Sequence, residues 1–183
     1  MLSRGTSFVL IGDPMPPTRT AAVQAATAPP EQASKLCIIL SKGTLDMAYP
    51  AFMLAQTAAV MGSEVHVFFT FWGINAVATK SVDKLRVSSV GNPGLPIPNV
   101  VGMLPGMTAV ATKMMKGRIA KAKIAPLYDM IKDCAAMGVH LHACSTTMEV
   151  MGVSRNDLIP EVEDVVGAAS FLEMAQGGQT LFI

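Results

Sequence analysis

Two apolar, β-branched runs separated by one helical stretch do most to constrain the fold of this chain. Residues 35–41 read K-L-C-I-I-L-S and residues 65–71 read V-H-V-F-F-T-F. Both runs are continuous rather than alternating, as strands buried on two faces are. Between them, Tyr49 to Met61 is mostly apolar, and Gly62 follows where a helix would need a C-cap. Lys42 to Asp46 reads as the loop leaving the first strand. A strand, a helix and a strand in this order make a parallel pair with a right-handed crossover. The expected class is therefore α/β, a mostly parallel central sheet flanked by helices on both faces in a single domain. Ligands of such sheets gather at the C-terminal ends of the strands. That edge would collect Ser41, Gly43, Asp46, Thr70, Trp72 and Gly73.

A third junction carries the chemistry. Residues 139–152, V-H-L-H-A-C-S-T-T-M-E-V-M-G, read as a short strand that ends at Cys144 and turns straight into a helix. Strand alternation places His140, His142 and Cys144 on one face. Ser145, Thr146 or Thr147 offers a helix cap, with Glu149 three residues after Thr146 as in a capping box. A cysteine here sees free backbone N–H groups and the positive end of a helix dipole, which favour thiolate over thiol. The plainer reading is a small buried cysteine at a strand end.

The rest of the chain fits around these pieces. Residues 1–34 are rich in Ala, Pro and Thr and read as an arm or linker, with Thr6 to Ile11 as a candidate edge strand. Residues 35–183 make the domain. It contains a Met- and Pro-rich insertion at about 88–123, whose second half, Met107 to about Ala122, is a basic helix bearing methionines. That helix reads as packed on the core with its lysines in solvent, or as a lid or subunit contact. A membrane-surface reading is weaker. Ile74 to Lys80 suggests a short helix, as does Asn156 to Leu158. Residues 126–137 place Leu127, Met130, Ile131 and Cys134 on one helical face, which makes Cys134 a core residue. Residues 164–175, D-V-V-G-A-A-S-F-L-E-M-A, read as a further helix, and Gln179 to Ile183 as a final edge strand.

Composition excludes several classes. Of 183 residues, 51% are hydrophobic and 15% charged, more apolar than an ordinary monomer needs, which points to a membrane contact or a subunit interface. The net charge is +1 with no basic run, so nucleic acid is not an expected partner. Three cysteines without a pairing pattern fit a reducing cytoplasm. Arg4 followed by a short apolar patch broken at Gly12, Asp13 and Pro14 does not read as a secretory leader. The uncharged stretch from Met47 to Ser63 carries Pro50, Gln56 and Thr57 and reads as a buried helix rather than a membrane span.

The strand and loop K-L-C-I-I-L-S-K-G-T-L-D-M-A-Y-P, the second strand V-H-V-F-F-T-F-W-G, the insertion G-M-L-P-G-M and the junction A-C-S-T-T-M-E-V-M-G-V together resemble the DsrE/DsrF-like family. Within it they are similar to the subgroup sometimes labelled peroxiredoxin-like. The resemblance covers about residues 35–183. It implies a sulfurtransferase-like α/β fold that assembles as homo- or hetero-oligomers. Family members accept sulfane sulfur as a cysteine persulfide and pass it to a carrier protein. The sulfur-carrying position of the subgroup falls on Cys144. Activity is uneven across the family, and some members lack the cysteine. A peroxiredoxin activity is not supported, because a C-x-x-C pattern is absent.

The expected function is thus a cytoplasmic sulfur relay in a homo-oligomer, with a TusA-like carrier or a rhodanese as partner and no cofactor. Cys144 would hold the sulfur and His142 would raise its thiolate fraction or shuttle a proton. Ser145, Thr146, Gly43 and Trp72 would line an anion pocket. Cys37 lies mid-strand and reads as inert packing. A disulfide between Cys134 and Cys144 would need Cα atoms within about 7 Å. Two other classes stay open: a His/Cys metal site built on His140, His142, Cys144 and His66, and a scaffolding subunit without turnover.

Overall fold

A computed structural model describes residues 34–88 and 106–183. The candidate edge strand at Thr6 to Ile11, most of the arm, and the first half of the insertion lie outside the described residues. Among those described, five strands form one sheet: β1 (Lys35–Leu40), β2 (Glu64–Phe69), β3 (His140–Cys144), β4 (Asp164–Val166) and β5 (Gln179–Phe182). Their order is β4-β3-β2-β1-β5, and every neighbouring pair is parallel. The helices are α1 (Leu45–Val60), α2 (Met107–Lys121), α3 (Leu127–Ala136), α4 (Ser145–Met151) and α5 (Ala168–Met174).

Strand alternation divides the core into two layers. Ile38 and Leu40 of β1, Val65, Val67 and Phe69 of β2, and Leu141 and Ala143 of β3 face α1 and α3 in the larger one. Phe52 of α1 stacks on Phe69 with ring centroids 6.0 Å apart, and both are fully buried. Each such side chain stabilises the fold by about 1.5–3 kcal/mol. The intervening residues Cys37, Phe68 and Cys144 face the other way, and meet Phe171 and Ala175 at α5. Connectivity explains this asymmetry. From β1 to β4 the chain advances one strand at a time in one direction, so right-handed crossovers put α1 and α3 on one face. The step from β4 back to β5 crosses the whole sheet in the opposite direction and carries α5 to the other face.

Four expectations need correction. The first helix begins at Leu45 rather than Tyr49, because Leu45 is a core residue whose N–H donates to the Arg86 carbonyl, so the preceding loop is only Ser41 to Thr44. Pro50 is held inside that helix. The expected helix over 164–175 is a strand followed by a helix. Asp164, Val165 and Val166 pair with His142, Ala143 and Cys144, and Gly167 caps α5. The expected short helix at 74–80 is a 3-10 segment at Phe71–Ala76, whereas the short helix expected at 156–158 is present as a 3-10 helix at Arg155–Asp157. Thr146 does not cap α4: the N-cap is Cys144 itself, and no side chain bonds the free N–H groups there.

Helix α2 forms where expected, yet Thr112 is its one buried residue among those described. The Thr112 hydroxyl accepts the Val87 N–H at 3.1 Å, and Lys116 Nζ donates to the Asp83 carbonyl at 2.9 Å. Val110 and Met114 are exposed. No helix among the described residues is long and apolar enough to cross a membrane.

Candidate functional site at the C-terminal edge of the sheet

Cys144 is the last residue of β3 and the N-cap of α4, in extended conformation with φ −75° and ψ 117°. It pairs with Val166 across the β3–β4 ladder, shares a buried cluster with Phe171, and is 5% exposed. Among the described residues its sulfur has no hydrogen-bond partner. The strand end β2 lies alongside and is locked to α4. Thr147 Oγ1 accepts the backbone N–H of Phe71 at 2.9 Å and lies 3.2 Å from Thr70 Oγ1. Phe71 takes φ +45°, a left-handed conformation that a phenylalanine adopts only under constraint. The constraint turns Phe71 and Trp72 out to solvent, 64% and 63% exposed.

Two glycines set the next layer of this edge. A Cβ on Gly43 would stand 2.0 Å from the Trp72 carbonyl oxygen, and one on Gly73 would stand 1.9 Å from the Leu40 carbonyl oxygen. Both positions exist because backbone meets backbone there, a contact only glycine permits. Gly43 and Trp72 are therefore brought together, through the main chain. Ser145 is half-buried and, with Met148, Glu149, Gly152, Val153 and Val165, lines a shallow open depression beside the start of α4. Thr146 is exposed. Ser41 Oγ donates to the Ile183 carbonyl at 2.9 Å and is occupied there.

His140 and His142 share the face of Cys144, as strand alternation predicts, and His66 of β2 joins them. His66 Nε2 bonds Glu64 Oε1 at 2.9 Å, His66 Nδ1 bonds His142 Nε2 at 3.0 Å, and His142 Nδ1 bonds Asp164 Oδ1 at 2.5 Å. His140 stacks on His66 with centroids 4.9 Å apart and bonds Glu163 at 2.7 Å. Both nitrogens of His142 are thus committed, and neither is free to bond the Cys144 thiol. Burial pushes the His66 imidazole below its ordinary range, opposed by the Glu64 bond and reinforced by the two neighbouring histidines. The bond from His66 in turn lowers Glu64. The sequence flagged each histidine but not this chain, because it depends on the β2–β3–β4 register and on Asp164 being in a strand. Among the described residues no group of three or more His, Cys, Asp or Glu side chains is disposed to hold a metal ion.

The other cysteines are packing residues. Cys37 is fully buried, and burial raises its thiol, with Lys35 pulling down and Glu64 pushing up. Cys134 is fully buried, donates to the Phe52 carbonyl at 3.7 Å, and is pushed up to about 11 by burial. It sits in the α1/α3 layer whereas Cys144 faces α5, so the sheet separates the two. Cys37 shares the layer of Cys144, but it aligns with His66 and, through it, with His140. Cys144 is four residues further along β3, about 13 Å, and two strand spacings away, beyond disulfide reach.

Comparison with known proteins bears on the family and the fold. The DsrE/DsrF/DrsH-like family model matches residues 32–182. The chain is 40% identical over 149 residues to the sulfur carrier protein DsrE2 of Allochromatium vinosum, covering 77% of this chain and 92% of that protein. It is 31% identical over 166 residues to the Bacillus subtilis protein YrkE, covering 84% of this chain and 99% of that one. Among solved structures, the protein MTH1491 from Methanobacterium thermoautotrophicum shares the fold. Its TM-score is 0.52 at 13% identity, over 82% of this chain and 99% of its own.

Proposed function

The chain belongs to the DsrE/DsrF/DrsH-like family, and from that membership we propose that it is a sulfur-relay protein with Cys144 as the carrier residue. The observation that carries this reading is the position of Cys144 at the β3–α4 junction, at the ligand-bearing edge of a parallel sheet. The uncapped N–H groups of α4 face the same end and suit an anionic sulfur. In the loading step the Cys144 thiolate attacks the outer sulfur of a donor persulfide. A new S–S bond forms, the donor S–S bond breaks, and the donor leaves as a thiolate. In the second step an acceptor thiolate attacks the outer sulfur and Cys144 is released as thiolate. Neither step needs an external oxidant or reductant. A small TusA-like carrier or a rhodanese would be donor or acceptor, in the cytoplasm, with this chain as a homo-oligomer. Ser145, Thr146, Gly43 and Trp72 would border the incoming sulfur, and His142 would act from within its hydrogen-bonded chain rather than by touching the thiol.

The test is intact-mass spectrometry before and after exposure to polysulfide, thiosulfate or glutathione persulfide, with peptide mapping. Addition of whole sulfur atoms at Cys144, removed by a thiol reductant and lost in Cys144→Ser, is the expected result. Equal loading of Cys144→Ser would sink the assignment. A second reading, a binding subunit without turnover, is favoured by one observation: the Cys144 side chain is only 5% exposed. It predicts no adduct on the folded protein.

A further inference from the structure

Counting protons along the buried histidine chain gives a definite answer. Glu64 and Asp164 are acceptors when ionised, so each requires an N–H from its histidine: Nε2–H of His66 and Nδ1–H of His142. The remaining pair, His66 Nδ1 and His142 Nε2, are 3.0 Å apart and form a bond only if one carries a proton and the other a lone pair. Three protons on four ring nitrogens make one imidazole and one imidazolium. Two neutral rings leave one of the three bonds without a proton. Two charged rings set N–H against N–H.

The setting favours the middle count. His66 and His142 are 7% and 3% exposed, so neither can replace a lost bond with bulk water. Glu64 and Asp164 flank the pair with negative charge. Lys35 of β1 stands 3.5 Å from Glu64 and offsets part of it. Glu163 adds a third carboxylate through His140, which stacks on His66. Cys37, aligned with His66 on β1, is neutral, its thiol raised by burial. From α5, Phe171 presents an apolar ring 6.4 Å from His142. The downward displacement of His66 agrees with its being the neutral member.

We propose that Glu64, His66, His142 and Asp164 form one proton-holding unit, and that the single proton shared by its two imidazoles clasps β4 and α5 over Cys144. Asp164 opens β4, a strand of only three residues at the edge of the sheet, and Gly167 after it starts α5. Phe171 of α5 packs in the cluster that contains Cys144. Releasing Asp164 therefore loosens the cover of a thiol that is otherwise almost closed off. The unit is a two-sided switch: a second proton breaks the His66–His142 bond at low pH, and loss of the shared proton breaks a bond at high pH. Regulation of sulfur transfer follows only if the sulfur-relay reading holds. The clasp itself concerns access to Cys144 and is measured without sulfur.

The experiment uses the full chain with 15N-labelled histidine. Long-range proton–nitrogen correlation spectra at neutral pH are expected to show three protonated nitrogens across His66 and His142. Two would overturn the proposal. Hydrogen exchange of residues 164–175, corrected for intrinsic exchange, is expected to be slowest at the pH of the three-proton state. It should quicken about fivefold on either side, one lost bond's worth. In His142→Gln, which carries no charge, this pH profile is expected to be flat. An unchanged profile in that variant overturns the clasp. The proton count on the wild-type chain decides the matter if the variant does not fold. Sulfur loading fails or succeeds independently of either readout.

Discussion

Thr147 Oγ1 receives the backbone N–H of Phe71 at 2.9 Å, across the gap between the helix that follows Cys144 and the loop that follows β2. Thr147 is buried and the bond itself is partly buried, so removing the hydroxyl takes away an acceptor that solvent replaces only in part. Thr147→Val keeps the shape and deletes the acceptor, and is expected to cost about 1–3 kcal/mol. Thr147→Ser is expected to recover most of it. Urea unfolding of the three proteins checks this. Because the bond also holds Phe71 at positive φ, proteolytic cleavage after Phe71 is expected to quicken in the valine variant.

The glycines differ in what they do, and alanine substitution separates them. Gly73→Ala drives a methyl group against the Leu40 carbonyl oxygen, and Gly43→Ala drives one against the Trp72 carbonyl oxygen. Each is expected to destabilise by about 3 kcal/mol or to abolish folding, since backbone and not a side chain must move. Gly117, within α2, has no heavy atom within 4 Å of an added Cβ. Gly117→Ala is expected to stabilise by up to about 1 kcal/mol through helix propensity. Thermal melts of the three variants give the comparison.

The cysteines are expected to sort by unfolding. Cys37 and Cys134 are fully buried with raised thiols, Cys134 to about 11. Iodoacetamide at neutral pH is expected to leave both unmodified in the native protein and to label both in urea. Cys144 should be the first site labelled without denaturant. Peptide mapping over time reads the order, and native labelling of Cys134 ahead of Cys144 would contradict the burial argument.

Much of this architecture is written locally in the sequence. Residues 35–40 and 65–69 are so largely apolar that doubly buried strands suit them, and the face shared by Leu127, Met130, Ile131 and Cys134 is simple helical spacing; the second run was read two residues too far, because Phe71 leaves the strand at positive φ and faces solvent. Cys144 at a strand-to-helix turn was legible for the same reason. What failed was short or non-local. Three residues, Asp164 to Val166, are too few to assert a strand period against the helix beside them, and only Gly167 marked the break. Thr147 was read as a cap because capping is a local rule, whereas its hydroxyl serves Phe71, 76 positions earlier. The link from His66 to His142 and Asp164 needs the order of three strands, which no single stretch encodes.

The buried histidine also fixes the sign of the acid response. Burial holds His66 below its ordinary 6.5 in the folded chain, so the unfolded chain binds a proton more readily. Its contribution is fully present above about 6.5 and is lost as pH falls through the lower folded value. The slope approaches about 1.4 kcal/mol per pH unit where only the unfolded chain is protonated. Glu64 acts further down: its bond from His66 places it below 4.5, so its share is present above 4.5 and is lost as pH falls through its folded value. Urea midpoints between these two values are expected to fall with pH in the wild-type chain. In His66→Gln they are expected to fall less steeply, because position 66 then has no imidazole to protonate on unfolding. Equal slopes would mean that His66 is protonated to the same extent in the folded and unfolded chains.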